Sequence, residues 1–118
     1  MKLLNICKLI YLLLPLPLIQ ACTSTNNDCL LFVGTYTGHG SEGIYAYRFN
    51  PDKGELNPLG LVAKTDSPSF ISIDYTGKFL YAVNELDSFQ NQATGAVSVF
   101  AINKSSGNLT LLQQISSE

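Results

Sequence analysis

From Leu30 onward the chain is written in short apolar runs separated by polar turn clusters, and no helical period persists. Seven runs read as strands: LLFVGTY (30–36), GIYAYRF (43–49), SFISID (69–74), FLYAVNE (79–85), AVSVFAI (96–102), LTLLQQI (109–115) and the weaker, Pro-containing NPLGLV (57–62). Val, Ile, Tyr and Phe dominate them, and these side chains suit a pleated surface. Several runs are apolar at successive positions, as expected of sheets covered on both faces. Three connectors, NPDKG (50–54), DYTGK (74–78) and NKSSG (103–107), each place Gly late in a tight loop. Gly takes a positive φ there and lets the chain reverse into an antiparallel partner. NPDKGE and DYTGKF lack the alternating acids and terminal Glu of a calcium loop, so they read as hairpin turns.

The pattern repeats. LFVGTY (31–36) aligns with LYAVNE (80–85), and IYAYRFNPDKGELNPLGLV (44–62) aligns with VSVFAINKSSGNLTLLQQI (97–115). Tyr47 falls on Phe100, Gly54 on Gly107, Leu56 on Leu109, Leu59 on Leu112 and Val62 on Ile115. The second alignment is offset further than the first, so the second unit carries a longer loop, within LDSFQNQATG (86–95). A period of about 50 residues with about four strands per unit is the signature of a propeller blade. The fold expected is therefore all-β, a fragment of a β-propeller of about two blades. The chain lacks Trp, which excludes the WD type, and the double Gly of kelch repeats is absent. The second unit has four runs and the first only three, so the first lacks its innermost strand. In a closed propeller that strand comes from the far end of the chain. Two units cannot close a ring of about four to eight blades. The chain thus reads as the N-terminal fragment of a longer protein, the alternatives being a complete two-sheet domain or a piece that oligomerises.

Residues 1–21 belong to another pattern. Lys2 and Lys8 precede an unbroken apolar run, Leu9–Ile19. That run is shorter than the roughly 20 residues a bilayer span needs, and a charged start with a short apolar core is a secretory signal. It ends in LIQAC (18–22), similar to the bacterial lipoprotein cleavage box, although Gln20 is an unusual occupant of the middle position. That similarity implies lipid on Cys22, a membrane anchor and an exported protein, with residues 22–29 as a polar tether and 30–118 as the partial propeller. Cys7 would leave with the signal and Cys29 would stay unpaired. If the signal is an ordinary one, Cys22 and Cys29 are left to form a small disulfide.

Composition adds limits. A net charge of −2 with seven Lys or Arg in 118 residues gives no footprint for nucleic acid. No CxxC motif or Cys/His cluster suggests zinc. GHGSEG (38–43) satisfies G-x-G-x-x-G, but a strand rather than a helix follows it, so it reads as a flexible loop between strands and no cofactor is expected.

VGTYTGHGSEGIYAYRFNPDKGEL, then SPSFISIDYTGKFLYAVNE, then GAVSVFAINKSSGNLTLL, resembles the 6-phosphogluconolactonase family of seven-bladed propellers across residues 31–117. The resemblance implies a propeller, and a parent enzyme that hydrolyses a sugar-acid lactone by water attack without metal or cofactor. It also implies that the His and Arg proposed for the family's chemistry lie in later blades, beyond this chain. The alternative is a surface-anchored propeller that binds a ligand or partner without chemistry. Within this chain, Glu85 ends a strand run where it can serve as base or hold a sugar hydroxyl, or simply cap a loop through backbone N–H groups. Ser67 and Ser69, around the PSF turn, and Asn84 are candidate substrate-binding residues. His39, the sole histidine, is a weaker one. Ser69 lacks the G-x-S-x-G context of a nucleophile. Arg48 and Lys64 are the cations nearest to hand for a phosphate, and both read as solvated blade edges.

Overall fold

All seven runs are strands. The structure is a computed structural model and describes residues 27–117. Its strands are β1 (Cys29–Val33), β2 (Gly43–Asn50), β3 (Glu55–Lys64), β4 (Pro68–Ile73), β5 (Phe79–Asn84), β6 (Ala96–Ile102) and β7 (Leu109–Ser116). They form two antiparallel sheets, a three-stranded β1-β2-β3 and a four-stranded β4-β5-β6-β7. The expected division into three and four strands therefore holds, with β1, β2 and β3 equivalent to β5, β6 and β7. The expected leader (1–21), Cys22 and most of the expected tether lie outside the described residues.

The connectors work as their residue types dictate. In NPDKG the Asn50 side-chain oxygen accepts from the Lys53 amide, and Gly54 sits at φ 69°. In NKSSG the Asn103 oxygen accepts from the amides of Ser105 and Ser106, and Gly107 sits at φ 81°. In DYTGK the Asp74 carboxylate accepts from the amides of Thr76, Lys78 and Phe79. Short polar side chains at the first turn position thus bind the backbone that the turn would leave bare.

Two-residue alternation decides which side chains meet. Leu80 lies opposite Phe100 and Ala82 opposite Ser98, on the face that looks toward the other sheet. Ile44, Leu80, Ala82 and Phe100 form the buried cluster, with Phe32, Val62, Ala63, Ile71, Ile102 and Leu109 packed around it. Burying one such large side chain contributes about 1.5–3 kcal/mol.

Four expectations change. The sheets are covered on one face rather than two: Leu31, Val33 and Leu61 on one outer face, and Phe70, Tyr81, Val83 and Ile115 on the other, are 38–67 % exposed. The consecutive apolar positions serve two faces, and among the described residues only the facing pair of surfaces is packed. The polar tether ends earlier than residue 29, because Cys29 already pairs with Phe49 in β1. Asn27 and Asp28 are also fastened, to Asp52 at 3.0 Å and to Asn50 at 2.7 Å. The NPLGLV strand is longer than its run, and register shifts seat Pro58 and Gly60 beside β2 on the sheet's edge. Arg48 is no solvated edge residue. It lies on the face toward the second sheet and donates to the Ser105 carbonyl, tying β2 to the β6–β7 turn.

The two layers have distinct ends. The three Gly turns and the start of β1 lie at one, the turn end. The exits of β1 and β5 and the start of β4 lie at the other, the mouth end.

Candidate functional site

At the mouth end three segments converge: Gly34–Thr37 leaving β1, Ser67–Ser69 leading into β4, and Asn84–Glu85 leaving β5. Gly34 permits the approach, since a Cβ there would collide with the Pro68 carbonyl. Ser67 adopts φ 40°, a left-handed conformation that costs a non-Gly residue on the order of 1–2 kcal/mol. Its neighbours hold it there. Its carbonyl accepts from the amides of Ser69 (2.8 Å) and Glu85 (2.9 Å). Its amide donates to the Thr37 hydroxyl at 3.2 Å, and its own hydroxyl lies 3.3 Å from the same oxygen. Ser67 is therefore the clasp between the two sheets.

The exposed group at this clasp is a pair. The Tyr36 hydroxyl donates to Glu85 Oε2 at 2.7 Å. The hydrogen bonds from Tyr36, and then from Ser69, hold the Glu85 carboxyl below the usual glutamate range. The same bond to Glu85, with the charge of its carboxylate, raises the Tyr36 phenol above its ordinary value. Tyr36 is 63 % exposed, so its ring face remains open to a ligand.

The other candidates separate from this pair. Asn84 is fully buried: its Nδ2 donates to Thr65 Oγ1 (2.9 Å) and to the Asp66 carbonyl, and its Oδ1 accepts from Ser98 Oγ at 2.5 Å and from Gln114 at 3.3 Å. Both of its donors are committed within the protein. Its burial places it on the same face as Leu80 and Ala82, where it joins the sheets' ends from within. His39 is exposed on the loop before β2. The element that follows the GHGSEG loop is strand β2, as its sequence suggested. Lys64 does lie at this end, but its ammonium is 2.8 Å from Glu42.

Tyr36 is the residue that sequence reasoning passed over. The signal was present: the repeat alignment already set Tyr36 opposite Glu85, 49 residues on. Two copies of one repeat position thus touch across the join between sheets.

Chemically the pair offers an ionised acceptor, a phenol and the Ser69 hydroxyl, a set suited to a polyhydroxylated ligand. An ionised acceptor with two donors already on it is a weak base near neutral pH.

Residues 30–118 match the family model described as lactonase, 7-bladed β-propeller. The chain belongs to the lactonase family. The 6-phosphogluconolactonase of Bacillus subtilis (strain 168) is 36 % identical over 81 residues, covering 69 % of this chain and 22 % of its own length. That of Formosa agariphila is 34 % identical over 83 residues, covering 70 % and 23 %. Among solved structures, a candidate 6-phosphogluconolactonase of Bacteroides fragilis superposes with a TM-score of 0.69 at 41 % identity, covering 78 % of this chain and 24 % of its own. The periplasmic gluconolactonase of Pseudomonas aeruginosa gives 0.65 at 33 % identity, covering 76 % and 25 %. This lactonase-family chain thus spans about a quarter of the length of these relatives, and its two sheets are blades of their propeller fold.

Proposed function

We propose that this chain supplies two blades, and one wall of the substrate site, to a lactonase that opens a sugar-acid lactone. In that reaction water adds to the ring carbonyl, the ring C–O bond breaks, and the departing alkoxide takes a proton to leave a hydroxy acid. The observation that carries the reading is the family match over residues 30–118, joined to a solvent-open Tyr36–Glu85 pair at the mouth end. Glu85, held ionised by Tyr36 and Ser69, serves as acceptor for a substrate hydroxyl rather than as the base that activates water. The groups that polarise the carbonyl and move the proton come from other blades. Ser69 orients Glu85, and Ser67 and the buried Asn84 hold together the segments that form the wall.

The expected substrate is unphosphorylated. Among the described residues the wall presents the Glu85 carboxylate, and the Lys64 ammonium at this end is paired with Glu42. The N-terminal pattern further supports residues 1–21 as an export leader and Cys22 as a lipid anchor, and one relative is a periplasmic gluconolactonase. The protein as made in its host should hydrolyse gluconolactone in preference to 6-phosphogluconolactone, followed by acid release at constant pH. Strict preference for the phosphorylated lactone would sink the reading. Glu85→Gln and Tyr36→Phe should each raise KM several-fold with a smaller effect on kcat, whereas residues 22–118 alone should hydrolyse lactone no faster than buffer. The second reading, an anchored propeller that binds without chemistry, draws on the same observation that Glu85 is a better acceptor than base. Tight binding of gluconolactone without turnover by the host-made protein would select it.

A further inference from the structure

The turn end carries a feature that lactone chemistry does not use. Tyr75 is 101 % exposed, the most exposed of the large apolar side chains among the described residues. It is no loose tip, because the Asp74 carboxylate fastens the three amides around it. Lys104 brings its ammonium to the same turn, donating to the Thr76 carbonyl at 2.9 Å, Lys78 is exposed on that turn as well, and Lys53 is exposed on the β2–β3 turn. An aromatic ring flanked by lysines is the composition of a membrane–water interface.

Charge is divided between the ends. At the turn end Arg48, Lys53, Lys78 and Lys104 balance Asp28, Asp52, Glu55 and Asp74, whereas the mouth end sets Glu42, Asp66, Glu85 and Asp87 against Lys64 alone. An anionic bilayer repels the second and not the first. The chain's own attachment agrees. Asn27 and Asp28 are hydrogen-bonded to Asp52 and Asn50 at the turn end. From Asn27 back to Cys22 the chain reaches at most about 18 Å. The mouth stands off by the length of β1 and the residues after it, roughly 26 Å.

We propose that the turn end is the membrane-facing surface of the anchored protein, with Tyr75 in the headgroup layer of an anionic bilayer between Lys53, Lys78 and Lys104, and the Tyr36–Glu85 mouth opening away from it. The orientation rests on the reading of Cys22 as a lipid anchor. Substrate then reaches the mouth from the aqueous side without crossing the headgroup layer.

These 118 residues contain no tryptophan, so single-tryptophan variants of this chain report position directly. Full chain carrying Tyr75→Trp or His39→Trp is placed on vesicles of phosphatidylethanolamine and phosphatidylglycerol. The emission at position 75 should shift to the blue and be quenched by headgroup-region spin-labelled lipid several-fold more than at position 39. Equal quenching, or stronger quenching at 39, overturns the orientation while leaving the anchor standing. Flotation with the vesicles tests the anchor itself. Cys22→Ala should abolish flotation of chains that have lost residues 1–21, and undiminished flotation of such chains overturns the anchor and, with it, the anchored orientation. A chain that never floats overturns both.

Discussion

At the scale of the residue, a few polar side chains do most of the organising. Asn50, Asp74 and Asn103 each stand at the first position of a turn and accept from the backbone. Asp74 goes furthest: hydrogen bonds from the Thr76 hydroxyl, then the Phe79 amide, bring its carboxyl from 3.8 down to about 2. Because the folded value lies below the unfolded one, its stabilising contribution is complete above about pH 4 and is lost as pH falls toward 2. Urea midpoints measured across that window should therefore decline in the natural chain, and the decline should be shallower in Asp74→Asn, whose amide oxygen still accepts but does not titrate. A parallel decline in both would mean that other carboxylates dominate. Several such residues were legible beforehand, since Asn or Asp before a late Gly is a turn signal with a mechanism. The setting of Asn84 is legible only in part. Its parity with Leu80 and Ala82 along FLYAVN marks it for the buried face, but its partners Thr65, Ser98 and Gln114 come from three other segments. Only the folded chain brings those segments together.

At the scale of the element, the repeated turn is similar in backbone and different in surroundings. Gly54 and Gly107 occupy the same repeat position with φ 69° and 81°, yet a Cβ on Gly54 meets nothing within 4 Å. A Cβ on Gly107 meets Leu59 Cδ1 at 2.7 Å and Leu30 at 3.1 Å, because that turn abuts the other sheet. Gly54→Ala should cost only the backbone penalty, about 1 kcal/mol. Gly107→Ala should cost about 1–3 kcal/mol more, the range for overpacking, with the difference read from denaturant midpoints. Equal costs would show that the β6–β7 turn is not pressed against the first sheet. Strand number, order and type were legible because apolar runs, turn residues and the repeat all gave the same answer. Strand ends were less so. GTY reads as a continuation of β1, but Gly34 leaves the ladder where Pro68 comes close, and that crowding has no local signature.

At the scale of the whole molecule, the repeat states what each sheet face is for. Leu31 and Val33, exposed, correspond to Leu80 and Ala82, buried. Tyr81, exposed, corresponds to Phe32, which packs on the core. The two outer faces are thus the two halves of the interface seen between the sheets, each without its complement among the described residues. Apolar faces of this extent favour association. Tyr81→Asp and Leu31→Asp should lower light scattering of the isolated chain and leave its melting temperature nearly unchanged, as substitutions on an uncovered surface do. A marked loss of stability in either would show that the face is already covered. The propeller class and the lactonase resemblance were visible in the sequence because they are written in periodic signals. The site was visible only in part, since Tyr36 and Glu85 are brought together by the way one sheet leans on the next.

That contact has an evolutionary consequence. Tyr36 and Glu85 occupy one position of the repeated unit and face each other. Had the copies stayed alike, two tyrosines would meet without an ionised acceptor, or two glutamates would meet and repel. The architecture is served by copying, but a donor–acceptor pair at this join requires that the copies diverge.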